Sequence, residues 1–150
     1  MKLENYILEK CIGKSAFGDV YFTTKKDDPK KYATKTFNRD EVEKSEAMKY
    51  LRNEISILQY LNHPNIAKFQ EVKKTKKNFY VINEYCNGGE LSKALKKYIE
   101  KNGKPFPEEI VQHLMIQIID VFKYIHENRI VHKDVNLDNI LLNWENEEDA

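Results

Sequence analysis

The chain has 150 residues, 41% hydrophobic and 33% charged, with 25 Lys and Arg against 24 Asp and Glu for a net charge of +1. That length suits one domain with its own core, and the balanced charge provides no basic field for nucleic acid or a membrane surface. The apolar patterns are periodic and interrupted by charges, which excludes a transmembrane span. MKLENYILEKCIG at the start lacks the basic-then-apolar layout of a secretory signal. Cys11 and Cys86 match no metal-ligand spacing, so reduced thiols and a cytoplasmic location are expected.

Residues 5–37 read as short strands. Tyr6, Leu8 and Ile12 alternate with Ile7 and Cys11, and VYFTT (20–24) and KYATKTF (31–37) are rich in β-branched and aromatic residues. The charged KKDDPKK between the last two reads as a hairpin turn in which Pro29 fixes φ. From 41 to 61 the period changes: Met48, Leu51, Ile55, Leu58 and Leu61 form one helical stripe, ended by His63–Pro64. Strands near 66–73 and 79–85 follow, joined by KKTKKN. Gly88–Gly89 breaks the pattern, ELSKALKKYI makes a short helix, and FPEE (106–109) opens the longest one. That helix carries an apolar stripe of Ile110, Val111, Leu114, Met115, Ile118, Ile119, Phe122 and Ile125. Strands in the first half and helices in the second give an α+β class.

Two places suggest chemistry. IGKSAFGDVY (12–21) puts Gly13 and Gly18 between strands, where backbone N–H groups can approach phosphate oxygens; two glycines in a hairpin are equally a plain turn. In KYATKTF, Ala33, Lys35 and Phe37 share one strand face, with Tyr32, Thr34 and Thr36 on the other. A lysine beside a small apolar residue and an aromatic needs a counter-charge. Glu54, three or four residues from Leu51 and Leu58, lies at the edge of the helical stripe and can supply it. Spacing alone leaves Glu54 open to being one more exposed acid.

Taken in order, IGKSAFGDV, YATK, Glu54 in RNEISIL, HPNI (63–66), VINEYCNGGEL (81–91) and HKDVNLDN (132–139) resemble the eukaryotic protein kinase family, serine/threonine type rather than tyrosine. The resemblance implies a five-stranded antiparallel small lobe with its helix C (1–85). It also implies a hinge and the start of a large lobe with its catalytic loop (86–150). It implies Mg²⁺ and ATP as cofactors and a protein substrate. Lys35 would hold the α- and β-phosphates, oriented by Glu54. Gly13 and Gly18 would cradle phosphate, while Ile12, Val20, Ala33 and Leu141 would enclose adenine. Backbone groups of Glu84 and Cys86 would bind the adenine edge, and Glu90 would face the ribose or a basic substrate residue. Asp134 would be the base and Asn139 a Mg²⁺ ligand. His126 and His132 read as packing or loop-bracing residues.

The pattern is departed from in several places. Ser15 replaces the middle glycine of the loop, and Asn83 puts a polar side chain at the back of the pocket. Lys133 replaces the arginine of H-R-D and loses its bidentate fork. Asn136 stands where serine/threonine kinases place a lysine that touches the γ-phosphate. D-F-G and A-P-E do not occur in the sequence. The 150 residues alone are therefore expected to transfer no phosphate, with NILLN (139–143) lacking a hairpin partner. The apolar face of the 110–125 helix is expected to stay exposed, open to a protein partner.

Overall fold

A computed structural model describes residues 2–15, 18–44 and 46–144, without the side chains of Lys2 and Ser15. The chain divides into two compact units, Met1–Asn62 with Ala67–Tyr85, and His63–Ile66 with Cys86–Ala150.

The first unit is built on a six-stranded antiparallel sheet in the order β1-β2-β3-β4-β6-β5. Its strands are β1 (Lys2–Leu3), β2 (Tyr6–Ser15), β3 (Gly18–Lys25), β4 (Asp28–Asn38), β5 (Phe69–Lys74) and β6 (Asn78–Glu84). The five expected strands are present, and β1 adds a two-residue edge. The turn between β3 and β4 is tighter than KKDDPKK suggested. Lys25 pairs with Asp28, Asp27 takes a left-handed φ of 62°, and a register shift falls between Thr24 and Lys25, as in a turn closed by a left-handed bulge residue. Pro29 falls inside β4, near its start, where a missing N–H is tolerated.

Alternation along the strands divides the core in two. Tyr6, Leu8, Tyr32, Tyr80 and Ile82 pack on one side together with Leu3. Phe37 and Val81 point to the other, against Val42 and Leu51. Those two residues explain why the single helix expected over 41–61 is broken into α1 (Arg39–Glu43) and α2 (Ala47–Tyr60). Nine residues apart on one continuous helix, they would face roughly opposite directions. Interrupting the helix lets both reach the same sheet face. Asn38 caps α1, its Oδ1 accepting from the N–H groups of Asp40 (3.0 Å) and Glu41 (3.3 Å). Leu61, read as part of the stripe, is extended and closes α2 as its C-cap.

In the second unit, β7 (Gly89–Glu90) leads into α3 (Leu91–Asn102), then α4 (Glu108–Glu127), an irregular segment, and β8 (Leu141–Leu142). NILLN pairs in part with a distant strand rather than a hairpin neighbour: β8 pairs with β7, Gly89 opposite Leu142 and Glu90 opposite Leu141. Gly88 makes the approach possible, since a Cβ there would lie 2.6 Å from both Leu142 Cβ and Trp144 Nε1. The segment 63–66 packs on α4 rather than with its sequence neighbours. His63 Nε2 lies 3.1 Å from Asp120 Oδ2, and Asn65 Nδ2 donates to Gln117 Oε1 at 2.7 Å. On α4, Ile125 is buried, whereas Ile110, Val111, Met115 and Ile119 of the expected stripe are exposed. No helix is long and apolar enough to cross a membrane among the described residues.

Candidate active site

The site residues fall into two groups, one in each unit. In the first unit, register places Val20 opposite Lys35 on β4, and Ala33 opposite Asn83. Directly paired residues share a sheet face, so Val20, Ala33, Lys35 and Asn83 lie on the side that α2 covers with Leu51. Because Leu51 is seated against Phe37 and Val81, Glu54 one turn later comes over Lys35. Lys35 Nζ lies 3.6 Å from Glu54 Oε1 and 5.0 Å from the Phe37 ring centroid. Their side chains are 28% and 47% exposed, so the pair is worth only about 0–1 kcal/mol of stability. Its effect is to aim the ammonium.

Gly13 is paired with Val20, and register shifts between Leu8 and Gly13 bend the strand around half-buried Ile12. Gly18 adopts φ of 153°, and a Cβ there would collide with the Thr36 carbonyl oxygen. Only glycine fits at this position. Thr36 then staples the loop to β4: its Oγ1 accepts from Asp19 N–H (3.1 Å) and donates to Asp19 O (2.9 Å). The returning limb of the glycine loop is thus fixed beside Lys35. Ala16, Phe17 and the Ser15 side chain, whose replacement of glycine the sequence flagged, lie outside the described residues.

At the end of β6, the Glu84 N–H donates to Lys68 O at 2.8 Å, and its carboxylate accepts from Lys68 N–H at 3.0 Å. Its backbone N–H is therefore engaged by the residue that precedes β5. Asn83 Oδ1 is buried with no hydrogen-bond partner among the described residues.

The second unit carries Cys86, Glu90, Leu141, Asp134 and Asn139. Cys86 is half-buried and not in a disulfide with Cys11. Glu90 is held by Lys93, Nζ to Oε1 2.8 Å, and sits opposite Leu141 across β7–β8. Between α4 and β8 the loop is anchored from below by α3. The first N–H groups of a helix have no intrahelical partner; here Leu91 N–H donates to Ile140 O (2.8 Å) and Ser92 N–H to Leu137 O (3.2 Å). Within the loop, Asn139 Nδ2 donates to Asp134 Oδ2 (2.8 Å) and to Asp134 O (2.9 Å). Asn139 Oδ1 consequently points away from those bonds. His132 braces the loop as expected, Nδ1 accepting from Asp134 N–H at 3.3 Å. Lys133 sits at φ of 67°, a left-handed conformation unusual for a residue with a Cβ.

One residue of the loop was not assigned a structural part in the sequence. Asn136 Nδ2 donates to Asp134 Oδ1 at 3.0 Å, while its Oδ1 accepts from Asp138 N–H (3.0 Å) and Asn139 N–H (3.1 Å). The signal was available in part: Asn followed by Asp-Asn two and three residues later is an Asx-turn pattern.

Residues 6–148 match the family model described as "Protein kinase domain". The chain is 37% identical over 140 residues to "Cytokinesis protein sepH" of Aspergillus terreus, covering 93% of this chain and 10% of that protein. It is 32% identical over 146 residues to an "Aurora kinase" of Candida glabrata, covering 97% and 39%. It is 31% identical over 143 residues to "CBL-interacting serine/threonine-protein kinase 16" of Arabidopsis thaliana, covering 95% and 29%. The chain thus spans between about a tenth and two fifths of the length of these curated relatives. Both the Lys35–Glu54 pair and the Asp134–Asn139 loop lie inside the matched span, and the chain belongs to the protein kinase family.

Proposed function

We propose that this sequence is the nucleotide-gripping small lobe (1–85) and the base-bearing start of the large lobe (86–150) of a cytoplasmic serine/threonine protein kinase. The observation that carries the reading is the Lys35–Glu54 pair. An ammonium that adds little stability is nonetheless held on the face bearing Val20 and Ala33, next to a loop closed by Gly18. Lys35 then grips the α- and β-phosphates of ATP, and Ile12, Val20, Ala33 and Leu141 contact the adenine. With its N–H engaged by Lys68, Glu84 offers its carbonyl oxygen to the adenine edge, and Cys86 offers backbone groups. Glu90 meets the ribose or a basic substrate residue by releasing Lys93, an exposed i,i+3 pair that costs little to break.

Asp134 accepts the proton of the attacking substrate hydroxyl. Asn139 presents a neutral amide oxygen, a hard donor suited to Mg²⁺. No cluster of three or more His, Cys, Asp or Glu able to hold a metal occurs among the described residues. That fits an ion that takes part of its shell from nucleotide phosphates. Asn139 would be one of the residues holding Mg²⁺, which when bound would supply charge neutralisation at the phosphates.

Thermal melting tests the reading. Mg-ATP raises the melting temperature, and Lys35→Ala abolishes the rise while leaving the ligand-free value within a few degrees. A rise that survives Lys35→Ala sinks the pocket. A second reading, a protein-docking module without nucleotide, is favoured by the exposure of Ile119 on α4. Mg-ATP then has no effect on melting, and a charge placed at Ile119 removes an apolar protein partner.

A further inference from the structure

We infer that Asn136 is a positioning residue for Asp134, holding the carboxylate through a neutral amide where the resemblance expects a cation. The inference rests on the kinase reading above and assigns part of its catalytic loop. The orientation of the Asn136 amide is fixed by its own surroundings. Its oxygen faces two backbone N–H donors, those of Asp138 and Asn139, so its nitrogen must face Asp134 Oδ1. Turning the amide over would set oxygen against carboxylate and NH₂ against N–H, a doubly repulsive arrangement. Asn139 takes the other carboxylate oxygen. Asp134 is therefore gripped at both oxygens, one bond each. An ionised carboxylate has roughly four lone-pair sites, so each oxygen keeps capacity for a substrate proton.

The two halves of Asn136 do different work. The acceptor half closes the turn, while the donor half fixes the rotation of the Asp134 carboxylate. A proton acceptor must lie within hydrogen-bond reach of the hydroxyl it serves, and losing orientation lowers the rate of the step without weakening binding. A purely structural residue would need the acceptor half alone.

Asn136→Ser separates the two, because a serine hydroxyl can still accept from the turn N–H groups but does not reach Asp134. In the native full-length protein, Asn136→Ser is expected to lower kcat about tenfold, the size of one hydrogen bond, with KM for ATP and melting temperature unchanged. An unchanged kcat overturns the inference. A readout independent of activity uses the 150-residue chain: the Asn136 side-chain amide resonances move on Asp134→Ala. Resonances that stay put overturn the inference even if the kinase reading stands. Failure of the wild-type protein to phosphorylate any peptide sinks the kinase reading, and the catalytic part of the inference with it. The resonance shift would then still decide whether Asn136 holds Asp134.

Discussion

At the scale of single residues, the first unit is held by buried tyrosines tied to carboxylates. Tyr6 OH donates to Glu71 Oε1 at 2.6 Å and Tyr32 OH to Asp28 Oδ2 at 2.7 Å, their rings meeting edge to face at 5.6 Å. Burial, and then the bond to Asp28, push the Tyr32 hydroxyl up to about 12; burial and the bond to Glu71 raise Tyr6 as well. A folded-state value above the unfolded one means that the unfolded chain loses its proton first. This stabilisation is therefore complete below pH ~10, the free tyrosine value, and is lost as pH climbs toward 12. Urea unfolding between pH 8 and pH 11.5, a range chosen roughly around that free value, is expected to show stability falling with pH. In Tyr32→Phe the slope flattens by about one proton, at a neutral-pH cost of about 1 kcal/mol for the lost hydrogen bond. An unchanged slope would mean that Tyr32 titrates normally. At this scale the sequence was readable where a periodicity carried the information. The alternation that set Lys35 with Ala33 and Phe37 and the stripe that put Glu54 at its edge brought the two within 3.6 Å. Asn136 was legible only in part: its turn-forming spacing is in the sequence, but its bond to Asp134 depends on where the loop turns.

At the scale of elements, α4 combines two kinds of apolar residue that its sequence pattern does not distinguish. Ile125 is 4% exposed and Ile119 is 59% exposed, though both belong to one stripe. Ile125→Ala should cost about 2–5 kcal/mol as a buried truncation. Ile119→Lys should stay within about 0.5 kcal/mol, as exposed substitutions do. Urea melts of both variants check this. A large loss for Ile119→Lys would show that its face is covered in solution. The break between α1 and α2 was illegible for a related reason. The stripe that begins at Met48 does not show that Val42 belongs to a separate helix, and it is the shared target of Val42 and Leu51 that accounts for the interruption. The pairing of β7 with β8 could not be read either, since two-residue strands carry no alternation.

At the scale of the whole molecule, the apolar core is unevenly shared. Among the described residues the buried hydrophobics of the second unit are Leu91 and Ile125, whereas the first unit has two clusters on either side of its sheet. Local stability follows buried contact density. Hydrogen exchange should find the β4 and β6 amides the slowest in the chain, exchanging only through global unfolding. The amides of 131–136 should exchange at least about a hundredfold faster. Equal protection in both would refute the uneven division. The fold class followed from the order of strand and helix periods. The sharing of the core did not, because apolar content is similar in both halves and only packing decides what is covered.

The anchoring of the loop between α4 and β8 on α3 uses main-chain atoms: Leu91 and Ser92 N–H groups, Ile140 and Leu137 carbonyls. A tether of that kind is indifferent to side-chain identity. Substitution at position 133 can therefore change a side chain of the loop while leaving these main-chain partners in place. Proline is the residue that would weaken the tether, by removing the donor at Leu91 or at Ser92.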